Sequence, residues 1–168
     1  MSEFEPEKIL DALNQHGVRY VLIGGLAAAM HGSVTPTFDV DIIPSTTEDN
    51  LDRLSAALTA LDARVRVDGI PDGLPFAHDA TSLAGMGMLN LVTRYGDLDI
   101  ASQPAGITRY EDWASNASNI VALGVAVQVA DLGDIVRSKE AAGRDKDKAQ
   151  LPLLRALKER LERGGSAV

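Results

Sequence analysis

The apolar positions of this chain change period several times, and each change marks an element. Ile9, Leu10 and Leu13 recur at helical spacing between Pro6 and His16, with Pro in the first turn and Gly17 as a stop, which predicts a first helix. Val18 to Ile23 is a continuous apolar run of strand length. Gly24 and Gly25 break it, and Leu26 to His31 reads as a short Ala-rich helix closed by Gly32. Thr37 to Ile43 then alternates, predicting a strand with Phe38, Val40 and Ile42 on its core face. Thr47 to Leu61 sets Leu51, Leu54, Leu58 and Leu61 along one side of a helix. Further strands are predicted near Ala63 to Val67, Met88 to Thr93, Leu98 to Ile100 and Ala126 to Val129, with a helix near Thr108 to Asn116 between the last two. The Gly/Pro/Asp-rich stretch Asp68 to Pro75 is predicted as loop. Two helices, about Asp131 to Ala142 and Asp147 to Glu162, finish the chain. The order predicts an α/β fold, helices packed on a mixed sheet. With 168 residues, no repeat and no linker, one domain over residues 1–168 is expected, with a core of about 18–130 and C-terminal helices of about 131–163.

The alternation at residues 37–43 also places charge. Asp39 and Asp41 project from the face opposite Val40 and Ile42, and aspartate is a poor strand former. Carboxylates so close repel unless a cation or a proton lies between them, and an oxygen-only donor set suits Mg²⁺ bound together with substrate phosphates. A solvated edge of a half-buried strand is the plainer alternative. Asp99 has a similar setting in Gly96-Asp97-Leu98-Asp99-Ile100. If that strand lies beside the first, Asp99 completes a three-carboxylate cluster able to hold metal against a triphosphate. Asp97 precedes the apolar run and is predicted as turn. Gly24 and Gly25, between a strand and a helix, let backbone amides approach a phosphate, or simply form a tight turn. No G-x-G-x-x-G occurs to support dinucleotide binding.

In the first C-terminal helix, Leu132, Ile135 and Val136 form a stripe that Lys139 continues, and an inward Lys needs an anionic partner. Asp147 heads the face of Leu151, Leu154, Leu157 and Leu161, and Pro152 fits only an early position in that helix. Arg144, Lys146 and Lys148 read as a solvated turn or as phosphate contacts. Net charge is −8, which argues against a protein that coats nucleic acid, but its distribution is uneven. Residues 131–168 hold nine Lys and Arg against seven acids, +2, leaving −10 for the first 130. The basic end suits a small phosphate-rich partner. The absence of cysteine removes disulfides, thiolate zinc sites and thiol catalysis, and fits a cytoplasmic protein. The acidic N-terminus and the lack of a long apolar run predict no export signal and no membrane partner. His16, His31 and His78 lack metal-ligand spacing.

The string Tyr20-Val-Leu-Ile-Gly-Gly-Leu-Ala-Ala-Ala-Met-His-Gly, followed by Thr37-x-Asp39-x-Asp41, resembles the minimal nucleotidyltransferases of the DNA polymerase β superfamily, most of all the toxin-type AbiEii/MenT-like group. Thr93-Arg-Tyr-Gly-Asp-Leu-Asp99 and Ser138-Lys139-Glu-Ala-Ala-Gly-Arg144-Asp-Lys-Asp147 are similar to that group's third-acid strand and its Lys-x4-Arg-x2-Asp segment, so the resemblance runs from about residue 18 to 155. It implies a polymerase β-like fold and a nucleoside-triphosphate-dependent transferase. Asp39, Asp41 and Asp99 would hold Mg²⁺, with Asp99 assisting the metal or activating the acceptor hydroxyl. Gly24, Gly25, Thr37, Lys139 and Arg144 would bind the nucleotide, and Asp147 would orient Lys139 or the base. It further implies an RNA acceptor, the 3′ end of transfer RNA, blocked translation, and a cognate antitoxin protein. Some members are controlled by phosphorylation two residues before the first metal-binding Asp, the position of Thr37. Two departures stand out: Thr35 where many relatives have Arg, and Gly24-Gly25 where the superfamily has Gly-Ser. Two other readings are an enzyme acting on an aminoglycoside-like small molecule or a protein hydroxyl, and an inactive fold serving as antitoxin or binding module.

Overall fold

The structure, a computed structural model, describes residues 3–102, 106, 107 and 109–165. Its elements run α1 (Pro6–Gln15), β1 (Tyr20–Ile23), α2 (Gly24–Met30), β2 (Asp39–Pro44), α3 (Glu48–Ala60), β3 (Arg64–Val67), β4 (Ile70–Leu74) and α4 (Ala80–Ala84). They continue with β5 (Met88–Thr93), β6 (Gly96–Ala101), α5 (Tyr110–Asn116), β7 (Ser118–Ala122), β8 (Val125–Val129), α6 (Leu132–Ala142) and α7 (Asp145–Gly165). The strands form one mixed sheet in the order β4-β3-β5-β6-β2-β1-β8-β7. β2 runs parallel to β6, and β1 to β8; the other pairs are antiparallel.

The α/β fold with a mixed sheet and C-terminal helices is therefore as expected, and alternation explains its core. Val40, Ile42, Leu98 and Ile100 are all buried, on the face opposite the aspartates. α1 lies across β8, β2 and β6 and packs on α3, while α2 contacts β1, β2 and α6, and α6 packs on α7. The predicted stripes are buried: Ile9, Leu10 and Leu13 of α1, Leu51, Leu54 and Leu58 of α3, and Leu61 just beyond it. Thr47 caps α3, its hydroxyl accepting from the Asn50 amide at 3.4 Å.

Several expectations are corrected. Asp68 to Pro75 is not a loop: it contains β4 in a hairpin with β3, pairing Val65 with Leu74 and Val67 with Ile70. β4 is the edge of the sheet, where Pro71 forfeits no inner ladder bond, so the turn-forming composition marks an edge hairpin. β7 is a second unforeseen edge strand, joined to β8 through Leu123 and Gly124, both at positive φ (57° and 77°). Two such residues make a type I′ hairpin turn, for which Leu-Gly is an unusual sequence. α4, capped by Asp79, was also not expected. Asp97 is part of β6 rather than a turn. Phe38 precedes the paired part of β2 and is 76% exposed, not core. Leu161 is 45% exposed because α7, with 21 residues, outruns the 11-residue α6 on which it packs. α7 also starts ahead of Asp147, so Pro152 sits inside the helix. The reason lies in Asp147, whose carboxylate reaches back to the Arg144 backbone N–H at 3.3 Å, the return bond of a capping box. The Thr108 end of the predicted helix lies outside the described residues.

Candidate active site

The parallel register of β2 and β6 brings the acids together. Asp39 pairs with Asp97 and Asp41 with Asp99, so Asp39, Asp41 and Asp99 share the sheet face opposite Val40, Leu98 and Ile42. One carboxylate oxygen from each of the three lies within 4.8 Å of the others. The row continues across the sheet: Ile23 stands opposite Asp41, Asn90 opposite Asp99, and the β3–β5 register carries on to set Arg66 beside Asn90.

Burial pushes the Asp41 carboxyl up, and the charges of Asp39 and Asp99 push it further, to about 7, against smaller opposing effects of Lys139 and Lys146. Asp99 is raised too, first by burial, although the Arg66 guanidinium opposes the shift. A half-buried carboxylate beside two like charges keeps its proton until something more positive replaces it. Three carboxylate oxygens within reach of one another are the donor set of a hard divalent cation, so these residues fit one.

The glycine pair does more than turn the chain or open it to a phosphate. Gly24 has φ +71°, and a Cβ there would stand 2.4 Å from Asp41 Oδ2. A Cβ at Gly25 would stand 3.0 Å from Thr37 Oγ1. The pair thus seats Asp41 and Thr37 side by side, and explains why a Ser at position 25 would crowd this chain. Thr37 Oγ1 in turn makes long contacts to the carbonyl (3.4 Å) and the carboxylate (3.5 Å) of Asp39.

The two C-terminal helices supply the cations. Lys139 faces inward on α6, donating to Gln150 Oε1 at 2.8 Å and lying 3.4 Å from Asp147 Oδ1. Asp147 is fully buried, and Arg144 grips it through Nε at 2.7 Å. Burial alone would raise the Asp147 carboxyl, but the Arg144 hydrogen bond and charge, with Lys139, outweigh it and hold the group below its ordinary value. A cleft of about 780 Å³ joins these groups: Gly24, Gly25, Thr37, Asp39, Asp41, Asp99, Lys139 and Arg144 all line it, as do Lys146, Phe38, Trp113 and Asn90. Every candidate site residue named from the sequence except Asp147 and Lys148 therefore borders one cavity, and Asp147 stands directly behind two that do. Lys148 and Arg155 do not line it; Arg155 pairs with Glu140.

Arg66 went unnoticed in the sequence. It lines the cleft, donates through Nη2 to Asp99 Oδ1 at 2.7 Å and to the Leu91 carbonyl at 3.0 Å, and places Nε 3.3 Å from Asp97 Oδ2. Its only local signal is an Arg at i+2 from another Arg in a short strand, which does not distinguish it from Arg64.

No protein-family model matches the chain, and no curated protein matches it. Solved structures do. A candidate nucleotidyltransferase from Thermotoga maritima is 18% identical, the match covering 97% of this chain and 94% of that one with a TM-score of 0.51. The lincosamide antibiotic adenylyltransferase LnuA, lincomycin-bound, is 17% identical over 94% of this chain and 99% of its own, with a TM-score of 0.60. At these identities the likeness establishes the fold, which is that of the nucleotidyltransferases.

Proposed function

We propose that this chain is a divalent-metal-dependent nucleotidyltransferase, one domain that transfers a nucleotidyl group from a nucleoside triphosphate to a hydroxyl and releases pyrophosphate. The meeting of Asp39, Asp41 and Asp99 in one cleft with Lys139 carries the reading. Asp39, Asp41 and Asp99 would hold the cation, Mg²⁺ in this reading, which when bound supplies positive charge to the phosphate oxygens. Gly24 and Gly25 keep the floor of the cleft low beside Asp41. Lys139, braced by Gln150 and Asp147, binds the triphosphate, and Arg144 and Lys146 add charge at the same side. The acceptor oxygen attacks the α-phosphorus in line; the bond to the bridging oxygen breaks and pyrophosphate leaves with that electron pair. Asp99 would assist the metal or accept the acceptor's proton, through the oxygen that Arg66 leaves open.

The acceptor we favour is RNA, at a transfer-RNA 3′ end, with the chain acting in the cytoplasm as the toxin of a toxin–antitoxin module and neutralised by a cognate antitoxin. This preference rests on the resemblance to the toxin-type group; the four sequence blocks in order speak for the superfamily. A small-molecule acceptor is the second reading, favoured by the likeness to LnuA over nearly the full length of both chains. The complete triad weighs against an inactive binding module. No helix among the described residues is long and apolar enough to cross a membrane.

The test is incubation of the pure protein with Mg²⁺, each labelled nucleoside triphosphate and total RNA, with products resolved by size. Label at transfer-RNA size, lost in Asp41→Ala, supports the reading. With a lincosamide or an aminoglycoside supplied in place of RNA, label on the drug transfers the weight to the second reading, and no transfer to any acceptor refutes both.

A further inference from the structure

Arg66 is the strongest unexplained feature of the molecule. It comes from β3, two strands away from β6, and reaches past the exposed Asn90 to a carboxylate of the triad. It serves Asp97 and Asp99 at once, yet its Nε is buried without a hydrogen-bond partner, although Asp97 Oδ2 is only 3.3 Å away. The arrangement holds a guanidinium against a carboxylate that is itself needed by a cation, with the Asp99 side chain 14% exposed and that of Arg66 34% exposed.

From this geometry we infer that Arg66 is a positioning residue that competes with the divalent cation for Asp99, so that the triad holds metal weakly alone and firmly only when a triphosphate arrives with it. The inference rests on the nucleotidyl-transfer reading and adds an order of loading to it. Two cations, the divalent metal and the guanidinium, face one carboxylate when metal enters without nucleotide. The triphosphate brings several negative charges into the same cleft and offsets the guanidinium, which keeps its bond to the Leu91 carbonyl and its neighbour Asp97. Arg66 also occupies Asp99 Oδ1, leaving Oδ2 as the oxygen available to metal or acceptor.

The experiment measures Mn²⁺ retained by the full-length chain on equilibrium dialysis, alone and with α,β-methylene analogues of the four nucleoside triphosphates. Arg66→Met and Arg66→Gln remove the competing charge and should retain Mn²⁺ alone roughly tenfold more tightly than the wild type, the scale of one unit charge a few ångströms away in a partly solvated site. Arg66→Lys keeps the charge and should stay near the wild type. A purely structural arginine gives a different pattern, with Lys and Met variants melting lower together and Mn²⁺ affinity unmoved. Gln keeps a polar group for the Leu91 carbonyl and serves if the Met variant does not fold. Folded Met or Gln variants that bind Mn²⁺ alone no better than the wild type overturn the role of Arg66, and continued retention of Mn²⁺ with a triphosphate would leave the transfer reading standing. A wild type that retains no Mn²⁺ with any triphosphate overturns both.

Discussion

Replacing Asp41 by Asn should make the metal-free protein more stable at neutral and alkaline pH while abolishing transfer. The carboxyl of Asp41 is raised from 3.8 to about 7, first by burial and then by Asp39 and Asp99. Between those values the folded chain holds a proton that the unfolded chain has released, so stability falls as pH rises through the window, and the penalty is complete above about 7. At 1.36 kcal/mol per unit the whole shift amounts to roughly 4 kcal/mol. One edge of the carboxylate faces the open cleft, so about half of that, ~2 kcal/mol, is the expected penalty after solvent screening. Asn has the same shape and no charge to bury. For a chain of this size that corresponds to a melting temperature roughly 4–8 °C higher than wild type at pH 8.

The assay is thermal unfolding of wild type and Asp41→Asn from pH 4 to pH 8 in the presence of chelator. The two curves should converge near pH 4, where Asp41 is protonated in both states, and separate as pH rises. Adding Mg²⁺ with nucleoside triphosphate at pH 8 should raise the wild-type melting point and leave the variant unmoved. A variant no more stable than wild type at pH 8, or a gap between them that does not depend on pH, would refute the account of Asp41 as a strained charge awaiting a cation.

Gly24→Ala places a Cβ 2.4 Å from Asp41 Oδ2 at a backbone φ of +71°, so it should lose transfer activity and about 1–3 kcal/mol of stability, read by urea unfolding. Asp147→Ala strips the inward Lys139 of an anion and α7 of its capping bond; since Arg144 can return to solvent, a loss of about 2–3 kcal/mol is expected, with weaker triphosphate binding measured by calorimetry. Phe38→Ala should leave stability within about 0.5 kcal/mol by thermal melt, because the ring is 76% exposed.

The metal strand shows how much of the site could be read from the chain. Two aspartates alternating with Val40 and Ile42 left few alternatives for which way each side chain points, since a period of 2 assigns faces without knowledge of the partner strand. Their meeting with Asp99 needed one further fact, that β6 lies next to β2 and in register, which periodicity alone does not contain. Lys139 and Asp147 were legible for a different reason: each continues an apolar stripe, and a charge on a buried stripe must find its opposite.

What escaped the sequence shares a physical cause, dependence on the sheet's edges and on contacts between distant strands. β4 and β7 are edge strands, whose composition answers to turns and solvent more than to a core, so their residues carry little alternation. Arg66 sits in such a region, on a strand with no fully buried position, and its meaning comes only from the neighbour its side chain reaches across Asn90. Phe38 failed in the opposite sense: alternation assigned it to the core, but pairing of β2 begins one residue later, so the rule was applied where no sheet existed. The three carboxylates and Lys139 are thus written into strands and a helix of the interior, where patterning constrains them. The residues beside Asp99 on the β3 and β5 side lie toward the sheet margin, and Arg66 among them is for that reason the part of the site least legible in the chain.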